Sequence, residues 1–238
     1  WPPLGTCPQG QHVGKTYITG AITAACMVQA RFVFETSIAL ASSPNPSVYG
    51  QSVTLTATLT AFDPMENVTF RDGSTVLGSA PVNAGVATLT VNTLAVGSHS
   101  LMAHYAGDAG NTASNSSPVS HQVNRAGTLV TMTPPTSVRY GQPVNVAASV
   151  AVVAPGVGTP TGTITVRNGL DGSCTIVLPA ASCILPPPVS HGSLTLTAHY
   201  TGDANFNSNV DTEPLVVIPQ SVSGAIAGLS AGGLRLKL

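Results

Sequence analysis

Only 7% of the 238 residues are charged and the net charge is −1, so the chain lacks the basic field that neutralising the phosphates of a nucleic acid requires. Its longest apolar runs fall far short of the roughly 18 to 20 residues that span a bilayer, which argues against a transmembrane helix. Solubility must then come from hydroxyls and amides, and the abundant Thr, Ser and Asn suit the exposed faces of strands, as in an extracellular β-protein.

Trp1 opens the chain without a charged n-region and apolar core, so the first residues read as the middle of something longer. From Ser52 to Ala61, Val53, Leu55, Ala57 and Leu59 alternate with Thr54, Thr56, Thr58 and Thr60, the pattern of a half-buried strand. Val68 and Phe70 make the next inward row, after a turn containing Pro64, and Asp72-Gly73 marks a tight hairpin. Val76 and Leu77 precede a turn around Asn83 to Gly85. Ala87, Leu89 and Val91 then alternate with threonines, and Leu101, Ala103 and Tyr105 with Met102 and His104. A turn at Gly107-Asp108 and a last strand near Val119 to Val123 complete the set.

The set then begins again. Tyr49-Gly50-Gln51 returns as Tyr140-Gly141-Gln142, and His104-Tyr105-Ala106-Gly107-Asp108-Ala109 returns as His199-Tyr200-Thr201-Gly202-Asp203-Ala204. The offset is roughly 90 positions, a sandwich-sized unit. Val144, Val146, Ala148 and Val150 repeat the first inward row, Ile164 and Val166 the second, and Leu194, Leu196, Ala198 and Tyr200 the row that ends in tyrosine, before a last strand near Leu215 to Ile218. With about seven short strands per copy, the chain reads as all-β: two antiparallel β-sandwiches, over residues 36–124 and 125–218. Only Asn124, Arg125 and Ala126 separate the copies, so the connection restricts swinging and favours an end-to-end arrangement, each sandwich contacting mainly its neighbour. Residues 219–238 read as a flexible tail.

Four cysteines fall into two local pairs, Cys7 with Cys26 and Cys174 with Cys183, neither at the CxxC spacing of a zinc site. Two disulfides, each closing within a hairpin, are the simplest reading and imply export to an oxidising compartment; four buried free thiols in a reducing cytosol are the alternative.

Several of these residues carry a family likeness. Ser42-Ser43-Pro44-Asn45-Pro46-Ser47-Val48-Tyr49-Gly50-Gln51, Asp72-Gly73 with Val76-Leu77-Gly78, Val96-Gly97 and Tyr105-Ala106-Gly107-Asp108-Ala109 resemble a bacterial Ig-like domain repeat. The second copy resembles it through Tyr140-Gly141-Gln142-Pro143, Pro160-Thr161-Gly162-Thr163 and Tyr200-Thr201-Gly202-Asp203-Ala204-Asn205-Phe206. The first copy departs from the pattern at Pro64 to Asn67 and at Gly110. The second carries Cys174 and Cys183 where family members staple neighbouring strands, with Thr75 and Ala87 at the corresponding places of the first. Residues 1–35 align with neither copy. Gly5-Thr6-Cys7, Gly14 to Cys26, Val28, Ala30 and Phe32 resemble the closing half of a divergent internalin-type B repeat, which implies a truncated β-rich module with a Cys7–Cys26 disulfide and its best-ordered strand around Met27 to Phe34.

Catalysis needs converging groups with shifted pKa values in a pocket, and none is signalled. His99, His104 and Asp108 lie close in sequence, but His104 recurs as His199, as expected of one outward strand position in two copies. Asp108 and Asp203 stand alone, short of the roughly six to eight oxygens calcium wants, so they read as turn acceptors beside glycine. Tyr105 and Tyr200 are in phase with the inward leucines and read as core, not as sugar platforms. No metal, cofactor or catalytic residue is assigned. The expectation is a non-catalytic spacer of an exported bacterial protein, at the cell surface, secreted or periplasmic. Its partners would be neighbouring repeats of the same chain, with neither nucleic acid nor a membrane span. The alternatives are an adhesin-type module binding glycan or protein through end loops, and an accessory region of a secreted enzyme.

Overall fold

The computed structural model describes residues 5–6, 11–13, 16–18, 26–27, 33–169 and 172–220. Near the N-terminus β1 (Gly5–Thr6), β2 (Gln11–Val13), β3 (Thr16–Ile18) and β4 (Cys26–Met27) form two small pairs, β1 parallel to β4 and β2 antiparallel to β3. Cys26 is disulfide-bonded. Cys7, most of the strand expected from Met27 to Phe34, and the tail from 221 onward lie outside the described residues.

The first module runs through β5 (Ser37–Ser43), β6 (Ser47–Val48), β7 (Val53–Thr60), β8 (Val68–Asp72), β9 (Thr75–Ala80), β10 (Val86–Val91), β11 (Gly97–Tyr105), β12 (Ser114–Asn115) and β13 (Val119–Asn124). The second runs through β14 (Thr128–Thr133), β15 (Ser137–Arg139), β16 (Val144–Val152), β17 (Thr163–Arg167), β18 (Ser173–Val177), β19 (Ser182–Leu185), β20 (Gly192–Tyr200) and β21 (Asn209–Ile218). Each is a two-sheet sandwich. In the first, β10-β7-β5 faces β6-β13-β11-β8-β9, with β12 on β11. In the second, β14-β16-β19 faces β15-β21-β20-β17-β18.

The inward rows are those the alternation indicates. Val53, Leu55, Ala57 and Leu59 are buried against Val68, Phe70, Leu101, Ala103 and Tyr105. Val144, Val146 and Ala148 are buried against Ile164, Val166, Leu196, Ala198 and Tyr200. Both tyrosines are wholly enclosed, and each contributes the large apolar area that dominates a core of this size. The threonines between them line the opposite face, where their branched side chains suit a pleated surface.

The disulfide joins Cys174 to Cys183 with their Cα atoms 5.9 Å apart. Contrary to the expectation from spacing, it does not close two strands of one hairpin. Cys174 sits in β18, the edge of the five-stranded sheet, and Cys183 in β19, the edge of the three-stranded sheet, so the bond ties the two sheets together across the open side of the sandwich. The ladders also relocate the corresponding pair in the first module. Val166 pairs with Cys174 as Phe70 pairs with Gly78, and Val146 pairs with Cys183 as Leu55 pairs with Leu89. The counterparts are therefore Gly78 and Leu89, not Thr75 and Ala87, because position in the ladder and not order along the chain decides which residues face each other across the two sheets. A Cβ at Gly78 would lie 3.1 Å from Leu89 Cδ2, so the leucine fills by packing the space that the sulfurs bridge in the second module. Replacing both Cys174 and Cys183 by serine is expected to lower the stability of the second module by about 2–3 kcal/mol, through the entropy of the short loop it closes. Urea unfolding followed by hydrogen exchange should show that loss in β16–β21 and not in β5–β13.

Candidate functional site at the module joint

The place where the modules meet is built from the repeated Tyr-Gly-Gln turn. Parallel pairing of β6 with β13 sets Val48 beside Asn124, and the Tyr49 N–H donates to the Asn124 carbonyl at 2.8 Å. The Gln51 N–H closes the turn onto the Val48 carbonyl at 3.0 Å, and the Val48 N–H donates to Gln51 Oε1 at 3.0 Å. Val48 and Tyr49 then pack against the core of the second module. The Tyr49 ring meets the buried Phe206 ring edge-on, centroids 5.6 Å apart, within the range that aromatic pairs favour. The Tyr49 carbonyl accepts the Val157 N–H at 3.3 Å.

Two glycines make this approach possible. Gly50 has φ +76°, and a Cβ there would collide with the Val157 carbonyl oxygen, so the position demands both a left-handed backbone and an absent side chain. A Cβ on Gly158 would stand 2.8 Å from Phe206 Cζ and 3.3 Å from Tyr49 Cε1, inside the socket itself.

The connecting residues are equally held. Asn124 belongs to β13. Ala126 is wholly buried and bridges to Phe206, its N–H donating to the Asn205 carbonyl and its carbonyl accepting the Asn207 N–H, both at 2.9 Å. Between them stands Arg125, whose carbonyl accepts from Asn207 Nδ2 at 3.4 Å. The three-residue connection thus has each backbone segment tied to one module or the other.

The two aspartates lie in the turns that follow the buried tyrosines. Asp203 Oδ1 accepts the N–H groups of Asn205 and Phe206 at 2.8 and 2.9 Å, and Oδ2 accepts the Thr161 N–H and hydroxyl at 2.9 and 2.7 Å. Burial opposes its ionisation, but these donors prevail and hold the carboxyl below its ordinary value. In this way Asp203 presents Phe206 to the socket. Asp108 accepts from Tyr105 Oη at 2.5 Å and from the N–H groups of Met65 and Gly110, which depresses its pKa strongly. Burial and these carboxylates push Tyr105 and Tyr200 up to about 12. At the place of Phe206 the first module has Asn111, whose side chain binds both the N–H and the carbonyl of Phe62. That end carries instead an exposed Phe34–Phe62 stack, centroids 4.9 Å apart, with exposed Met65 in the same loop as Phe62.

His99, His104 and Asp108 are not brought together. His99 Nδ1 donates to Asp72 Oδ2 at 2.6 Å and Nε2 to the Ala95 carbonyl at 2.8 Å, while His104 bonds Asn115 and Asp108 serves Tyr105. Among the described residues no three His, Cys, Asp or Glu side chains form a set able to hold a metal. His121, which the sequence reading passed over, is wholly buried in β13 between Ser47 Oγ, 2.9 Å from Nε2, and Ser42 Oγ, 3.2 Å from Nδ1. Its phase with Val119 and Val123 was the available signal. Phe206 was missed as a joint residue because its partner lies in the other module; the contrast with Asn111 at the same place in the repeat is the mark it leaves in the sequence.

A family model described as bacterial Ig-like domain (group 3) matches residues 40–124 and again 130–218. No curated protein matches the chain. Among solved structures, fibronectin(III)-like modules of Clostridium thermocellum CbhA share 16% identity over 80% of this chain and 99% of theirs, with a TM-score of 0.35. The Yersinia pseudotuberculosis adhesin InvE shares 17% over 76% of this chain and 58% of its own, with a TM-score of 0.37. A two-domain fibronectin type III segment of chicken tenascin shares 10% over 75% of this chain and 97% of its own, with a TM-score of 0.38.

Proposed function

The chain belongs to the bacterial Ig-like domain family, in two copies, and from that premise we propose that it is a non-catalytic spacer of an exported surface or secreted protein. The observation that carries this reading is the joint. A connection with no free residue, a tyrosine held edge-on against Phe206 and a glycine seated on the Val157 carbonyl make two sandwiches behave as one stiff unit. β21 runs ten residues away from the joint, so a module adds roughly 34 Å at the rise of an extended strand, and repetition sets reach. The inter-sheet disulfide fits an oxidising compartment, outside the cell or in a periplasm. Among the described residues no helix is long and apolar enough to cross a membrane. The likeness of residues 1–35 to an internalin-type B repeat fits the same setting, as a further module in the row.

Small-angle scattering of the whole chain tests the reading. An elongated particle whose profile one rigid arrangement reproduces is expected, whereas a profile that needs freely tumbling modules would count against it. The adhesin reading rests on a separate observation, the exposed Phe34–Phe62 stack with Met65 at one end of the first module. If that end binds glycan or protein, Phe62→Ser should abolish a signal on a glycan array or on cells that the parent chain gives. No signal from the parent leaves the spacer reading.

A further inference from the structure

We propose that the Tyr140-Gly141-Gln142 turn, at the outer end of the second module, is a docking surface for another Ig-like module carrying a socket of the Gly158–Phe206 kind. The proposal rests on the spacer reading and extends it by naming the contact through which a row of modules would grow. The backbone features of the turn that serves the joint are already present. β15 pairs in parallel with β21 as β6 does with β13. The Tyr140 N–H donates to the Ile218 carbonyl at 2.9 Å, matching Tyr49 on Asn124, and the Gln142 N–H donates to the Arg139 carbonyl at 3.1 Å, matching Gln51 on Val48. Gly141 holds φ +78° beside the +76° of Gly50.

The difference lies in what covers them. Tyr140 is 40% exposed, and the atom nearest to a Cβ at Gly141 is Gln220 Nε2 at 3.6 Å, where the Gly50 position is closed by Val157. The carbonyl of Tyr140, whose counterpart accepts Val157 N–H across the joint, accepts Gln220 Nε2 at 3.1 Å instead. A side-chain amide thus holds the place of the neighbour's backbone, and it is displaced without leaving an acceptor unsatisfied. The second module of another copy is not the occupant, because its Phe206 is already engaged by its own Tyr49. Nor is a first module, where Asn111 replaces the phenylalanine and ties itself to Phe62. The occupant is a module with an aromatic at the Phe206 position and a glycine at the Gly158 position.

The test is a chain in which residues 125–220 are repeated directly after Ile218, which places Arg125 and Ala126 of the added copy where the linker stands at the existing joint. Spin-label distances across the new joint should be as narrow as those across the first. Tyr140→Ala, or Phe206→Asn in the added copy alone, should broaden them. Broad distances across the new joint with a narrow first joint, or narrow distances that ignore Tyr140→Ala, overturn the docking surface and leave the spacer reading standing; breadth at both joints overturns both. In the unextended chain, Tyr49→Ala should speed opening of the joint by about tenfold, the equivalent of one lost aromatic contact, while Tyr140→Ala leaves unfolding within about twofold. Equal effects of the two changes would identify Tyr140 as an internal packing residue and end the proposal even if the added copy did not fold.

Discussion

Alanine in place of Gly202 should cost the second module about 3 kcal/mol or more, and alanine in place of Gly107 should do the same to the first. Gly202 has φ +80°, where an L-residue costs about 1–2 kcal/mol. The rest comes from contact. A Cβ there would lie 2.7 Å from the Phe206 carbonyl oxygen and 2.9 Å from the Ser208 nitrogen, backbone atoms of the turn that cannot rotate aside. That oxygen also accepts the Asp203 N–H at 3.1 Å, so relief of the clash means opening the turn that carries Phe206. Gly107 repeats the arrangement at φ +79°, with Ala113 N at 2.7 Å and the Asn111 carbonyl oxygen at 2.9 Å. Module-resolved hydrogen exchange in urea measures the cost. Gly202→Ala should also loosen the joint, whereas Gly107→Ala should weaken the first module with Tyr49 still seated. A loss below about 1 kcal/mol at either site would show that the turn opens freely and that neither strain nor contact governs it.

These glycines were visible before any coordinates because they recur, each one residue before an aspartate and two after a tyrosine. Much of the fold was legible for the same reason. Alternation over Val53 to Leu59 and over Leu101 to Tyr105 assigns a face to each side chain, and burial follows the face. Alternation says nothing about which strand lies alongside. Cys174 and Cys183 therefore read as one hairpin although β18 and β19 belong to different sheets, and the ladder partners that make Gly78 and Leu89 their counterparts leave no trace in residue spacing. The joint was half legible. The brevity of Asn124-Arg125-Ala126 pointed to stiffness, but the Tyr49 socket is assembled from Val157, Gly158 and Phe206, far along the chain, and no local pattern brings those together.

The second large effect is expected at His121, beneath the strand that carries the joint. Its ladder partner is His99, and the same pair of positions in the second module is Leu215 with Leu194. Ser47 stands where the second module has Val138, so a polar cluster occupies an apolar site. His121→Ala should cost about 3 kcal/mol, combining a cavity with the orphaned hydroxyl of Ser47, which is 2% exposed. Supplying the second module's own pair, His121→Leu with Ser47→Val, should recover most of that loss, because both polar partners leave together.

The double change should also alter the pH dependence, since the two histidines pull in opposite directions. Burial, then the charge of His99, lowers the His121 pKa, with Asp72 opposing. The unfolded chain then takes up its proton first, so the stabilisation from neutral His121 is present above about pH 6.5 and is lost as pH falls through its folded value. For His99 burial also lowers the pKa, but the bonds to Asp72 and the Ala95 carbonyl and the Asp72 charge outweigh it, and the net value is raised. That stabilisation is complete below about pH 6.5 and is lost as pH rises through the folded value. The first module should be most stable near the point where the two limbs meet. His121→Leu with Ser47→Val should remove the acid limb alone, whereas Asp72→Asn should remove the alkaline limb and deepen the acid one, because the Asp72 charge supports both histidines. Stability of β5–β13 that stays flat from pH 5 to pH 8 in the parent chain would mean that neither histidine changes its proton affinity on folding. With the Ser47 hydroxyl 2.9 Å from His121 Nε2, and Val48 and Tyr49 next in the chain, protonation on the acid limb should reach the joint and loosen Tyr49 before the sandwich itself unfolds.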